Sequence, residues 1–183
     1  MRQLKHHEKK LLRKVDLYSW KSDNNLHEAQ IVKKYLLKDH EDYIKYSKVV
    51  GSITKLVAKL KNLPQNDTLR FQLSEQVLQR LHNMGIVNST SSLSAIEKLT
   101  VSSFCRRRLP IVMVRLKMSE TLKEATTFIE QGHIRVGPNV VTDPAFMVTR
   151  TFEDYVTWVD SSKIKRTIMK YNDKLDDYDL LEN

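Results

Sequence analysis

The 183-residue chain has one cysteine, four glycines, four prolines and 8% aromatic residues. A single thiol, Cys105, excludes an internal disulfide framework and any zinc site built from several cysteines. Four scattered glycines leave no glycine-rich loop of the kind that cradles a nucleotide phosphate. No apolar run approaches the roughly 18–20 residues that a membrane span needs, and Met1 to Lys10 is too charged for a signal peptide. These absences lead us to expect a soluble intracellular protein in a reducing compartment, without membrane association.

Catalytic groupings are equally scarce. His6 and His7 lack a third ligand at metal spacing, and Asp39-His40-Glu41-Asp42 reads as a helix-capping turn. Cys105 beside three arginines could be an activated nucleophile, but no histidine–acid framework accompanies it, and a small buried core residue is the simpler reading. The sequence points to no enzyme, no cofactor, no metal and no small-molecule substrate.

What is present is positive charge. The formal net charge is +9, the sequence pI is about 9.6 and 40% of residues are hydrophobic. A foldable basic chain suits a polyanionic partner, nucleic acid first and an anionic membrane surface second. Between Phe104 and Met118 the charge concentrates, with Arg106, Arg107, Arg108, Arg115 and Lys117 and no acidic residue.

Leu4 to Leu17 forms a basic amphipathic segment, with Leu4, Leu11, Leu12 and Val15 set among Lys5, Lys9, Lys10, Arg13 and Lys14. Ser22 to Asn25 is a turn cluster that caps a helix running to about Lys38. A further helix over Asp42–Leu63 carries a stripe of Val49, Val50, Ile53, Leu56, Val57 and Leu60, and Pro64 closes it. Asp67 caps the next, with Leu69, Leu73, Val77, Leu81 and Met84 on one side and Gly85 as its stop. These two helices should pack as an antiparallel pair.

The polar stretch Asn88 to Ser92 reads as a linker, followed by a helical turn over Ser94–Leu99 and a possible cap at Thr100. Pro110 cannot sit inside an uninterrupted helix, so a helix ends near Arg108 and another begins, with Ile111, Val112, Val114, Leu116 and Met118 toward the core. Thr121 and Glu124 make a capping box for a helix whose buried stripe is Leu122, Ala125, Phe128 and Ile129, ended by Gly132.

Ile134 to Val136, a Gly137-Pro138-Asn139 turn and Val140-Val141 predict a hairpin. Phe146–Val148 and Tyr155–Val159 add two strands, with Trp158 in the core. Four short strands against two helices make an α+β domain. A last helix from Ser161 sets Ile164, Ile168 and Tyr171 opposite Lys163, Lys165, Arg166 and Lys170. Asp176, Asp177, Asp179 and Glu182 close the chain as an acidic tail, solvated or partner-binding.

The residues Arg115-Leu116-Lys117-Met118, Thr121, Glu124-Ala125, Ile129 and Gly132-His133-Ile134-Arg135-Val136 resemble the RNA-binding domain of small-subunit ribosomal protein four, a two-helix and small-sheet module. A longer similarity runs through Leu4 to Asp16, Trp20-Lys21, Cys105 to Pro110 and Gly132 to Asn139. It resembles the Imp-three type family, nucleolar paralogues of that ribosomal protein within the U-three small nucleolar ribonucleoprotein. Pro110, Thr126 and Gly137-Pro138-Asn139 depart from the ribosomal pattern, which favours the paralogues.

These patterns divide the chain into a helical N-terminal domain over 1–88 with a basic arm, a linker over 89–100, a domain over 101–160 that the resemblance marks as RNA-binding, and a C-terminal helix and tail over 161–183. The resemblance implies a nucleolar factor of early small-subunit assembly that holds the small nucleolar RNA and promotes its pairing with pre-ribosomal RNA. A scaffold of the M-phase phosphoprotein ten type is the expected protein partner, among other processome proteins. A ribosomal protein proper and a protein–protein adaptor are the alternatives.

For phosphate contact the candidates are Arg106, Arg107, Arg108, Arg115 and Lys117, because the guanidinium fork pairs bidentately with phosphate. Consecutive arginines cannot all point one way, so two of Arg106 to Arg108 should face RNA. Lys123, His133 and Arg135 come next, with Arg150 either binding phosphate or pairing with Glu153. His133 could instead be a turn residue satisfied by backbone. Lys5, His6, His7, Lys9, Lys10, Arg13 and Lys14 could form a second RNA arm. Tyr18 and Trp20 could stack on bases or lie in a core.

Overall fold

The computed structural model describes residues 2–14, 22–38, 40–64 and 66–174. The chain divides into two compact units, Met1–Ile44 and Lys45–Asn183.

The first unit contains α1 (His6–Lys14) and α2 (Ser22–Tyr35). Glu8 starts α1 by accepting the Lys5 backbone N–H at 2.8 Å, and it also meets Arg2 at 2.6 Å. Leu11 and Leu12 are 56% and 47% exposed, so the apolar edge of this basic helix lies open. The expected extension to Leu17, with Val15, Tyr18 and Trp20, falls outside the described residues. The second helix starts earlier than expected, since Ser22 already opens it, and it ends at Tyr35 rather than Lys38. Leu36 takes a positive φ of 49° and the Leu37 N–H turns back to the Val32 carbonyl, which terminates the helix.

Helix α3 (His40–Asn62) crosses from one unit to the next, and α4 (Thr68–Asn83) follows. Asp67 caps α4 through the Leu69 N–H at 3.0 Å, and Gly85, at φ +71°, ends it. Val57, Leu78, Leu81, Val87, Ile96 and Leu99 form one core cluster, joined from its margin by Ile53 and Val77. The anticipated stripes are only half right. Val49, Leu56, Leu69, Leu73 and Met84 are exposed, because this cluster draws on a narrow line of each helix and closes over it with the 86–99 segment.

Short helices then come in quick succession: α5 (Ser94–Glu97), α6 (Val101–Cys105), α7 (Leu109–Arg115) and α8 (Leu122–Glu130). Pro110 sits in the first turn of α7, where its missing N–H costs no helical bond. Thr121 and Glu124 satisfy each other's backbone N–H at 3.3 and 3.2 Å, the reciprocal capping box. Helices α7 and α8 pack on each other, burying Leu109, Val112, Met113, Ala125 and Ile129 with Ile134, Val136, Val148 and Val156. The inward line of α7 is therefore 109/112/113; Val114 and Met118 only border it, and Leu116 is exposed.

Strands β1 (Ile134–Val136), β2 (Asn139–Val140) and β3 (Val156–Trp158) form an antiparallel sheet in the order β2-β1-β3. Val136 pairs with Asn139, so the hairpin turn is Gly137-Pro138 and Asn139 already belongs to a strand. Trp158 packs edge-on against Phe128, with centroids 5.7 Å apart. The expected fourth strand at Phe146–Val148 is absent. That segment instead makes one bridge, Arg108 to Met147, outside the sheet. Mixed α+β architecture is thus observed with three strands rather than four.

Helix α9 (Lys163–Tyr171) completes the described chain and buries none of its residues, with Tyr171 88% exposed. The acidic tail lies outside the described residues.

Candidate nucleic-acid interface

The charged run does not form one helical face. Arg106 is the C-terminal cap of α6, Arg107 lies in the turn, and Arg108 is the extended cap residue of α7. Three consecutive residues at a helix–turn–helix junction diverge, and the structure sends the last two inward, at 5% and 3% exposure.

Arg107 is a tie-rod. Its Nε and one terminal nitrogen donate to the Val148 carbonyl at 2.9 and 2.8 Å, and the other donates to Glu153 at 2.9 Å. The Val148 N–H returns a bond to the Arg107 carbonyl at 2.9 Å. Gly85 lies directly against this guanidinium, where a Cβ would come within 2.8 Å of Cζ. Arg108 reaches Tyr46 Oη at 3.4 Å, and Tyr46 stacks on Phe104 with centroids 6.1 Å apart. The expectation that two of Arg106 to Arg108 face outward is corrected: only Arg106 does.

Glu153 also takes Arg115, so one carboxylate holds two guanidinium groups. Arg150 accordingly does not pair with Glu153. Its terminal nitrogen meets His82 Nε2 at 2.8 Å and its N–H bonds the Asn83 carbonyl at 3.0 Å.

A second carboxylate organises the strand side. Asp160 receives Arg135 at 2.6 Å and Lys165, while the Arg135 Nε donates to the Thr157 hydroxyl at 3.0 Å. The hydrogen bond from Lys165 holds the Asp160 carboxyl below its ordinary range, against a smaller opposing effect of desolvation and with further help from Arg135. His133 shares a 3.1 Å hydrogen bond between Nδ1 and the buried Ser162 hydroxyl. That explains why Ser162, at the start of α9, gives its helix no side-chain cap.

Arg106, Lys117 and Lys123 are exposed, and no anionic partner meets them among the described residues. Lys117 stands in the left-handed region, at φ 59°, just after α7. In the first unit Lys5, Lys9, Lys10, Arg13 and Lys14 are likewise exposed and unpaired among the described residues. The sequence reading missed Val148, Thr157 and Asp160 as groups that engage these cations. Each lies 22 or more residues from the arginine it serves, and of the three only Asp160 carries a charge that the sequence could have shown.

A Ribosomal protein S4/S9 N-terminal domain profile matches residues 3–106, and an S4 domain profile matches residues 107–153. The chain is 50% identical over 180 residues to the U3 small nucleolar ribonucleoprotein protein IMP3 of Saccharomyces cerevisiae, covering 98% of each. It is 49% identical over 181 residues to the protein of the same name from Homo sapiens, again covering 98% of each. The chain belongs to the IMP3 family. Small ribosomal subunit protein uS4 of Methanothermobacter thermautotrophicus is a more distant relative, 28% identical over 164 residues, 88% of this chain and 95% of that one.

Within the IMP3 family frame, the junction between the two matched regions falls between Arg106 and Arg107. The exposed arginine closes the N-terminal match, and the buried one opens the S4 match by anchoring it to Val148 and Glu153.

Proposed function

We propose that this protein is a non-catalytic RNA-binding assembly factor that holds the U3 small nucleolar RNA and promotes or stabilises its pairing with pre-ribosomal RNA. It does so in the nucleolus, during small-subunit ribosome biogenesis. The observation that carries the reading is the α7–α8 platform of the S4 match, bordered by exposed Arg106, Lys117 and Lys123 without anionic partners among the described residues. Unpaired surface cations release counterions on meeting phosphate and supply sequence-independent affinity, whereas Arg107 and Arg108, already hydrogen-bonded inside, build the platform.

In this reading Lys5, Lys9, Lys10, Arg13 and Lys14 form a second RNA arm, and Arg115, Arg135, His133 and Arg150 are positioned to join from partly occupied sites. The RNA-binding domain spans 101–160. Identity of 50% to the Saccharomyces cerevisiae IMP3 protein against 28% to a ribosomal protein supports the assembly role over a permanent ribosomal one. A scaffold of the M-phase phosphoprotein ten type is the protein partner, and it should remain bound after nuclease treatment.

A strand-annealing assay tests the reading. Fluorescent oligonucleotides carrying the U3 and pre-ribosomal pairing segments are mixed with and without the protein. We expect faster pairing or a duplex that survives higher temperature. No change in either, at protein concentrations that saturate RNA binding, would refute it.

A further inference from the structure

The outer edge of β3 carries open hydrogen-bonding groups beside a groove of mixed charge. The Val159 N–H bonds the His133 carbonyl and the Gly137 N–H bonds the Tyr155 carbonyl. In an antiparallel ladder, residues alternate between pointing their backbone groups at the partner and away from it. Tyr155, Thr157 and Val159 therefore face β1, and Val156 and Trp158 face outward. The Val156 N–H is taken by the Glu153 carbonyl, but the Trp158 N–H and both outward carbonyls have no partner among the described residues.

Beside this edge lies a groove of about 560 Å³ lined by Leu116, Met118, Val156 and Trp158. Leu116 is 39% exposed there, although its sequence spacing marked it for the core. Arg135 and Lys165 stand in the groove lining along with Glu153 and Asp154. The two basic groups already share Asp160, whereas Asp154 is exposed and unpaired among the described residues. Such a lining suits a chain bearing both signs of charge. A phosphate backbone would meet Glu153 and Asp154 as well as the cations.

We propose that this edge binds an extended segment of a partner protein as an added strand. One apolar side chain of that segment enters the Leu116–Met118–Trp158 groove, and a lysine or arginine pairs with Asp154. Main-chain pairing with the Trp158 N–H and carbonyl supplies the register, and the groove supplies the selectivity. Arg106 and Lys123 lie outside this lining and stay open to RNA, whereas Lys117 sits between Leu116 and Met118 and Arg135 lines the groove itself.

The test uses the full-length protein and a phage-displayed library of random 12-residue linear peptides, with counter-selection on the Leu116→Glu variant. We expect enriched sequences with an apolar residue near a basic one. A synthetic peptide of that sequence should slow hydrogen exchange of the Trp158 amide at least tenfold. Leu116→Glu and Asp154→Lys should each weaken the peptide at least tenfold. Asp154 is exposed, so its variant serves if Leu116→Glu unfolds. No enrichment, a bound peptide that leaves the Trp158 amide unprotected, or a 12-nucleotide single-stranded RNA that gives the same protection would each overturn the proposal. Failure here leaves the annealing result untouched, so the two readings fall separately.

Discussion

Replacing Arg107 with alanine should unfold the protein far below the wild-type temperature, while replacing its neighbour Arg106 should scarcely matter. Arg107 gives three hydrogen bonds, two to the carbonyl of Val148 and one to Glu153. Val148 is 1% exposed, so its carbonyl would be left buried without those donors, at a cost of about 1–3 kcal/mol. Loss of the ion pair and the void beside Gly85 add to this, for a total of about 3–5 kcal/mol, the usual range for breaking a buried charged contact. In a protein of this size about 2–4 °C follows each kcal/mol, so the midpoint should fall by on the order of 10 °C. Arg107→Lys should recover little, since an ammonium cannot make the forked contact. Arg106→Ala, at an exposed position, should stay within about 0.5 kcal/mol of wild type.

Gly85 provides an internal control. Gly85→Ala incurs both the left-handed backbone penalty of about 1–2 kcal/mol and a collision with the guanidinium. In the Arg107→Ala background only the first should remain, so the double-mutant cycle should show coupling. Thermal unfolding followed by circular dichroism reads all four proteins. Equal midpoints for Arg107→Ala and wild type, or equal losses for Arg106→Ala and Arg107→Ala, would refute the tie-rod role.

Two further expectations concern single residues. Lys117→Gly should raise stability by up to about 1 kcal/mol, because glycine adopts the positive φ without penalty, yet weaken RNA binding through the lost charge; unfolding and filter binding should move in opposite senses. Asp160 contributes stability that is present above its ordinary value near 3.8 and lost as pH falls through its depressed folded value. Asp160→Asn should therefore differ from wild type at pH 5 and converge with it near pH 2 in thermal scans; a constant gap across that range would contradict the assignment.

Local rules made the caps and turns legible. Asp67, Thr121 with Glu124, Pro110 and Gly85 each act through neighbours a few residues away, so their roles could be read from spacing. The direction of Arg107 could not. It depends on a carbonyl 41 residues later and a carboxylate 46 residues later, and three like-charged residues in a row carry no mark of which one turns inward. The Phe146–Val148 segment misled for a related reason. Its apolar run satisfies a strand pattern, but the Asp143 carboxylate accepts the Ala145 N–H at 2.8 Å and the Phe146 carbonyl accepts the Leu109 N–H at 2.9 Å, tying the segment to the helix junction instead of the sheet. In α3 and α4, heptad-like spacing marked more residues as buried than the small shared core can cover.

The most direct measurement of the central claim is the salt dependence of RNA affinity for the Arg106→Ala, Lys117→Ala, Lys123→Ala triple variant against wild type. Each lost phosphate contact should lower the logarithmic salt slope by about 0.9 on duplex RNA, taking the double-stranded DNA value as a guide. We expect a weaker, flatter salt response with an unchanged unfolding midpoint. An unchanged slope and affinity in the folded variant would contradict the assignment of these open cations as the RNA contacts.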